Sequence, residues 1–187
     1  MSDRIPLPRP GQGADKARMD EILRVDHAGE YAAVLIYRAQ RAVFEAKKGR
    51  EAITRDLAEM QDQEAVHLAR FERLLNERKV RPTAMTPVWR LAASALGAGT
   101  ALIGEKAAHA CTEAVESVIE KHYADQIAEI GDRDPALAAE LKQFREEELA
   151  HHDHAIEHGS REAPAYRLLS GVIKAGCKAA IKISEKV

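Results

Sequence analysis

Glu148 and His151 lie three residues apart in the stretch FREEELAHHDHAIEH, residues 144–158, where four glutamates and four histidines occupy fifteen positions. On a helix, a three-residue step brings two side chains to nearly the same face, so this carboxylate and this imidazole point together. Carboxylate beside neutral imidazole is a donor set that suits a divalent transition metal. The spacing recurs once, at Glu64 and His67. With 8 histidines and 20 glutamates in the chain, chance alone supplies roughly one such pair, so the surroundings of each pair carry the argument.

Both pairs interrupt apolar stripes. Leu57, Met60, Leu68, Phe71 and Leu74 fall at helical offsets from Glu64 or His67, and Leu137, Leu141, Phe144 and Ala155 do so from Glu148 or His151. An ionised carboxylate facing inward is costly unless something compensates it, and inward-facing arginines are few. A metal does so economically. Glu30 falls in a stripe with Leu23, Asp26, Ala33, Val34 and Tyr37, and Glu116 in one with His109, Thr112, Ile119, Tyr123 and Ile127. Glu113 and Glu120, one turn to either side, are less well placed. Glu30 precedes Glu64 by 34 residues and Glu116 precedes Glu148 by 32, each the length of a helical hairpin. One glutamate followed by a Glu-x-x-His, used twice, is the ligand pattern of ferritin-like dinuclear bundles.

The other titratable groups divide by position. His152, His154 and His158 are expected on the outer face of their helix, solvated. His27 and His122 lie near the inward stripes, where either would serve as a hydrogen-bond partner, and Asp26 is placed to accept the free N–H of a ligating histidine. Glu147 points about 100° away from Glu148 and is expected to be silent on substitution.

These residues need long helices to carry them. Alternating β-branched runs are missing, and Ala, Glu, Leu, Lys and Arg dominate. The period predicts helices over 16–48, 51–78, 105–130 and 135–158, with Asp134 capping the last and Pro135 at its first position. Two accessory helices are predicted, an apolar one over 88–104 and a final one over 164–185. The expected architecture is all-α: an antiparallel four-helix bundle with two accessory membrane-facing helices, one domain over 16–187 behind a flexible lead-in, 1–15.

Composition narrows the function. A net charge of −2 leaves no electrostatic footprint for nucleic acid. Cys111 and Cys177 are the two cysteines and form no C-x-x-C, which suits a reducing compartment and excludes a thiolate metal site. The first twenty residues contain no apolar core of a secretory signal and carry Asp3 and Asp15, unlike a transit peptide.

The segments LRVDHAGEYAAVLIYRAQ, QDQEAVHLARF, RPTAMTPVWRLAASALGAGTALIGEKAAHACTEAVE, HYADQI and FREEELAHHDHAIEHGSREAPAY resemble the demethoxyubiquinone hydroxylase family of ubiquinone biosynthesis, from about Leu23 to the C-terminus. The resemblance implies two irons held by Glu30, Glu64, His67, Glu116, Glu148 and His151, with Glu64 and Glu148 bridging. It prefers Glu116 because Ser117 replaces the second of the family's paired glutamates. It implies that His122 and Tyr123 act in substrate or electron handling, and that O2 is co-substrate in ring hydroxylation of a prenylated demethoxyubiquinol. NADH is the reductant it suggests, directly or through the quinone, although no nucleotide-binding fingerprint is visible. An accessory lipid-binding protein of the same pathway and a homo-oligomer are both compatible with it. Tail length, oligomeric state and electron donor stay open at this point, as do the roles of His27, Asp26 and His152. Two rivals use the same bundle: a peroxidase or manganese-catalase-type enzyme, and a non-enzymatic iron-binding protein.

A polyprenyl quinol has to be met at a membrane. Residues 88–103 span 16 positions with Arg90 among them, short of the roughly 20 apolar residues needed for crossing. They are expected to lie in the interface with Trp89 at headgroup level. Lys174, Lys178, Lys182 and Lys186 recur every four residues beside Leu169, Val172, Ile173, Ala180, Ile181 and Ile183, a basic amphipathic helix. The expected location is peripheral, on the cytoplasmic side of the cell membrane or the matrix side of the mitochondrial inner membrane.

Overall fold

The computed structural model describes residues 12–187, so residues 1–11 of the expected lead-in lie outside the described residues. Residues 12–15 belong instead to the first turn of α1, Gln12–Glu45. Then follow α2 (Glu51–Arg78), α3 (Thr86–Ile103), α4 (Glu105–Ile130), α5 (Pro135–Glu157) and α6 (Tyr166–Lys186), with a single 3-10 turn at Ser160–Glu162 before the last. No strand is present among the described residues. The first helix stops three residues before the expected 48, where a turn through Gly49 begins the return.

Helices α1 and α2 form one hairpin and α4 and α5 another, and the two close into a four-helix bundle. The turns follow from their residues. Lys79 takes a left-handed conformation after α2, and the amide of Val80 donates to Leu75 O at 2.8 Å, closing the helix end. Gly104, at φ 145°, joins α3 directly to α4 in a conformation that side-chain-bearing residues avoid. Asp134 accepts from the amide of Leu137 at 3.1 Å and Pro135 opens α5, as its sequence predicts.

Among the described residues, two of the four apolar clusters flank a polar layer inside the bundle. One packs Ile22, Leu23, Phe71, Leu74, Leu141 and Phe144 towards one end of the bundle. The other packs Tyr37, Phe44, Ile53, Leu57, Met60 and Ala101. Between them, the inward side chains of all four helices are polar.

The accessory helices lie against the α1/α4 side. α3 runs along α1 so closely that a Cβ on Gly97 would come 2.4 Å from the carbonyl oxygen of Ile36. Its outer face leaves Val88, Leu91, Leu102 and Ile103 exposed, Leu91 at 75 %. α6 buries Ser170, Ile173 and Ser184 and exposes Val172 and Ile183, with Leu168. Trp89, expected at headgroup level, turns inward, and its indole N–H donates to Ser184 Oγ at 2.9 Å. Among the described residues no helix is long and apolar enough to cross a membrane.

Candidate metal centre

Glu30 of α1, Glu64 and His67 of α2, Glu116 of α4, and Glu148 and His151 of α5 converge in the polar layer, none more than 4 % exposed. Their donor atoms form two sets, Glu30–Glu64–His67–Glu148 and Glu64–Glu116–Glu148–His151, each with all atoms within 4.8 Å of one another. Glu64 and Glu148 belong to both. His67 Nδ1 lies 3.5 Å from Glu30 Oε2, 3.5 Å from Glu64 Oε2 and 3.3 Å from Glu148 Oε1. His151 Nδ1 lies 3.1 Å from Glu64 Oε1 and 3.6 Å from Glu148 Oε2.

Each imidazole is aimed by a bond on its far side. His67 Nε2–H donates to Glu147 Oε2 at 2.5 Å, and His151 Nε2–H donates to Gln63 Oε1 at 2.6 Å. With Nε2 engaged outside, Nδ1 is the ring atom that faces the carboxylates, the atom a metal would take once its proton is displaced. Glu147 is thus no silent neighbour of Glu148: α2 and α5 run antiparallel in a register that brings it across to His67. Asp26 has no such part, since its Oδ1 accepts from Gln126 Nε2 at 2.7 Å and lies 3.7 Å from His122.

The donors fit a cation that the protein itself does not supply. Among the described residues no lysine or arginine pairs with any of the four carboxylates. Glu30 Oε2, both oxygens of Glu64, Glu148 Oε2 and the Nδ1 atoms of both histidines are buried without a hydrogen-bond partner. The charges press on one another. Burial raises Glu64 and Glu116 above the usual carboxylate range, and the neighbouring carboxylates add to this. Burial lowers the His151 imidazole, but contact with Glu148 and Glu64 outweighs it and lifts the group to about 9. His67 is raised the same way, against its burial, by Glu148, Glu30 and Glu64. Without metal, protons hold the layer together, and four carboxylates with two nitrogens match the charge of two divalent ions.

Two tyrosines complete the layer. Tyr123 O–H donates to Glu30 Oε1, across from α4 to α1, and Tyr37 O–H donates to Glu116 Oε1 at 2.7 Å in the opposite direction. Burial and the carboxylates beside them push both hydroxyls well above the usual phenol range, so they remain donors. The sequence reading places Tyr37 in a stripe without a role. Its signal was there: Tyr37 follows Glu30 by seven residues, as Tyr123 follows Glu116. Gln63 and Glu147 carry a similar signal, each standing immediately before a Glu-x-x-His.

Glu113 and Glu120 lie outside the layer. Glu113 accepts from Ser160, Tyr166 and Arg161, and Glu120 from Arg145. His27 stacks on Tyr31, and His152 Nδ1 lies 2.9 Å from Asp153 Oδ1 on the outside of α5.

A cavity of about 380 Å³ opens beside the layer between α1, α3, α4 and α6. Its walls are apolar, among them Ile36, Trp89, Leu96, Val115 and Ile173. Glu30 and Tyr123 line it, with Asp26 and His122. Gln126 Nε2 donates both to Asp26 and, at 2.8 Å, to His122 Nε2. Desolvation lowers the His122 imidazole, consistent with a neutral ring accepting that bond.

The family profile described as Ubiquinone biosynthesis protein COQ7 matches residues 17–184. The chain belongs to this family. A 3-demethoxyubiquinol 3-hydroxylase of Rhodospirillum rubrum is 49 % identical over 178 residues, 95 % of this chain and 82 % of the relative. The mitochondrial NADPH-dependent 3-demethoxyubiquinone 3-hydroxylase of Mus musculus is 48 % identical over 176 residues, 92 % of this chain and 79 % of the relative. The mitochondrial 5-demethoxyubiquinone hydroxylase of Saccharomyces cerevisiae is 39 % identical over 189 residues, covering 93 % and 80 %. The resemblance read from the motifs and this COQ7 membership agree.

Proposed function

We propose that this COQ7-family chain is an oxygen-dependent di-iron hydroxylase acting on the ring of a demethoxyubiquinol in ubiquinone biosynthesis. The observation that carries the reading is a pair of overlapping donor sets at the wall of an apolar cavity. Glu30, Glu64, His67 and Glu148 would hold one iron, and Glu64, Glu116, Glu148 and His151 the other. An iron pair held by these residues would supply O2 activation, with one oxygen atom going to the ring, the other to water, and two electrons coming from an external donor.

The chain's own groups bind, orient and shield. Tyr37 and Tyr123 keep Glu116 and Glu30 turned inward, and Glu147 and Gln63 hold the histidine rings. The cavity walls exclude water and take the first units of a prenyl chain. Asp26 and His122, bridged by Gln126, are the polar groups at hand for the oxygens of the quinol ring, and Tyr123, bonded to Glu30, would be the phenol beside it. The reductant would be a nicotinamide nucleotide. The sequence suggests NADH, whereas the name of the mouse relative specifies NADPH. An iron store would need no such cavity.

The test is single turnover. Protein reduced anaerobically with two Fe2+ per chain is mixed with a short-tailed demethoxyubiquinol and ¹⁸O2. Hydroxylated quinol carrying one ¹⁸O is expected. Iron-loaded protein that consumes oxygen but leaves the ring unlabelled would overturn the reading.

The exposed apolar faces of α3 and α6 support peripheral attachment to the membrane that holds the quinol. Lys178 and Lys182 are exposed beside the α6 face, whereas Lys186 pairs with Glu21 at 2.8 Å. Each free lysine near anionic lipid contributes about 1 kcal/mol, so binding should weaken with salt but not vanish. Flotation with anionic liposomes at low salt tests this. Protein left at the bottom would mean that a carrier must deliver the substrate.

A further inference from the structure

Away from the buried centre, three histidines gather at the end of the bundle where α2 and α4 begin and α5 ends. The His154 and His158 rings stack with centroids 4.0 Å apart, and His109 lies 5.2 Å from His158 and 6.0 Å from His154. Asp56 of α2 reaches towards them, its Oδ2 lying 3.7 Å from His154 Nε2. One donor atom from each of Asp56, His154 and His158 falls within 4.8 Å of the other two. The sequence reading puts His154 and His158 on a solvated face. The structure instead turns His154 partly inward, with Nε2 buried and no hydrogen-bond partner.

Two features go beyond packing of neutral rings. His158 Nδ1–H donates to the carbonyl oxygen of His154 at 2.8 Å, which leaves the Nε2 lone pair of His158 free. His109, 5 % exposed, stacks on that ring at an interplanar angle of 30° and limits its swing. Burial, reinforced by the neighbouring rings His158 and His154, lowers the His109 imidazole to about 4, so it stays neutral. His154 is lowered by burial as well.

We propose that Asp56, His154 and His158 form a second, mononuclear site for a divalent transition ion of the zinc or ferrous class. Two imidazoles four residues apart on one helix with a carboxylate from a neighbour are a donor set such ions accept, leaving positions for water. The site shares no ligand with the buried centre. His154 follows His151 on α5 by three residues, a rise of about 4.5 Å towards the end of that helix.

The experiment is an anaerobic Co2+ titration of the metal-free full-length chain, followed by visible absorption and by metal analysis. The wild type should bind one equivalent more than either His158→Gln or Asp56→Asn. Each variant should lower affinity for that equivalent by more than the roughly tenfold expected from losing an outer partner alone. The difference between chains reads the site, so the result is independent of how many ions the buried centre holds. His158 is exposed, so its replacement should leave the helical circular dichroism of the metal-free chain unchanged and the variant folded. Undiminished stoichiometry and affinity in either folded variant would overturn the site.

Discussion

The two hairpins of the bundle carry the same five-residue device and put it to different surroundings. In each, a glutamate is followed seven residues later by a tyrosine, and a Glu-x-x-His is preceded by a polar residue that crosses to the other hairpin's histidine. Glu30, Tyr37, Gln63, Glu64 and His67 make one copy, and Glu116, Tyr123, Glu147, Glu148 and His151 the other. Around Tyr37 and Glu116 the interior is filled by Phe44, Leu57 and Met60. Around Tyr123 and Glu30 it opens into the cavity, with Asp26 and His122 on its wall and Gln126 bridging them. A symmetric interior suits a pair of ions, and in the proposed function the broken symmetry next to it would admit the substrate from the Tyr123 side.

The largest effect should come from breaking what the halves share. Glu148→Ala removes a donor common to both sets, so bound iron should fall from two per chain to one or none. Turnover should drop by more than about 100-fold, beyond the loss expected for an outer-shell partner. Metal analysis alongside product formation checks this, and two tightly bound irons with normal turnover would refute the shared-donor assignment.

Next in size are the partners of the histidines, where the halves differ in charge. Glu147→Ala and Gln63→Ala should each weaken metal affinity by about 10–100-fold, with Glu147 the costlier because a carboxylate is the stronger acceptor. Competition with a calibrated chelator ranks them. Equal affinity in Glu147→Ala and wild type would mean that the bond to His67 does not matter.

The tyrosines test whether the open half is the reactive one. Both Tyr123→Phe and Tyr37→Phe remove a buried donor from a carboxylate, at a cost of about 1–3 kcal/mol in stability. Only Tyr123→Phe should also slow hydroxylation, with iron retained, since only Tyr123 lines the cavity. Equal kcat in the two variants would reduce both residues to supports of the glutamates.

The smallest effect concerns the cavity wall. Gly97→Ala forces α3 away from the carbonyl of Ile36, which should cost about 1–3 kcal/mol and lower Tm by several degrees. Iron content should remain at two, because α3 contributes no ligand. A thermal melt with metal analysis distinguishes a moved wall from a damaged centre.

Much of this is legible in the amino-acid sequence. The helices were readable because each is long and periodic, and their ends were marked by Gly49, Asp134 and Pro135. The six ligand candidates were readable because a carboxylate within an apolar stripe is an anomaly, and the anomaly appeared four times at matching intervals. Glu147 escapes a reading by periodicity, which locates a side chain only relative to its own helix axis. Its bond to His67 depends on how α5 is set against α2, a relation between residues 80 apart.

The sequence by itself determined the helical content, the inward polar layer and its donor chemistry, since these follow from local propensity and from side chains that recur on one face. Only the tertiary structure decided which hairpin opens to a cavity, that Trp89 turns inward to Ser184, and that His109, His154 and His158 gather with Asp56. Each of those outcomes depends on the rotation and offset of one helix against another. That geometry comes from how side chains across an interface interlock, a property no single stretch of chain contains.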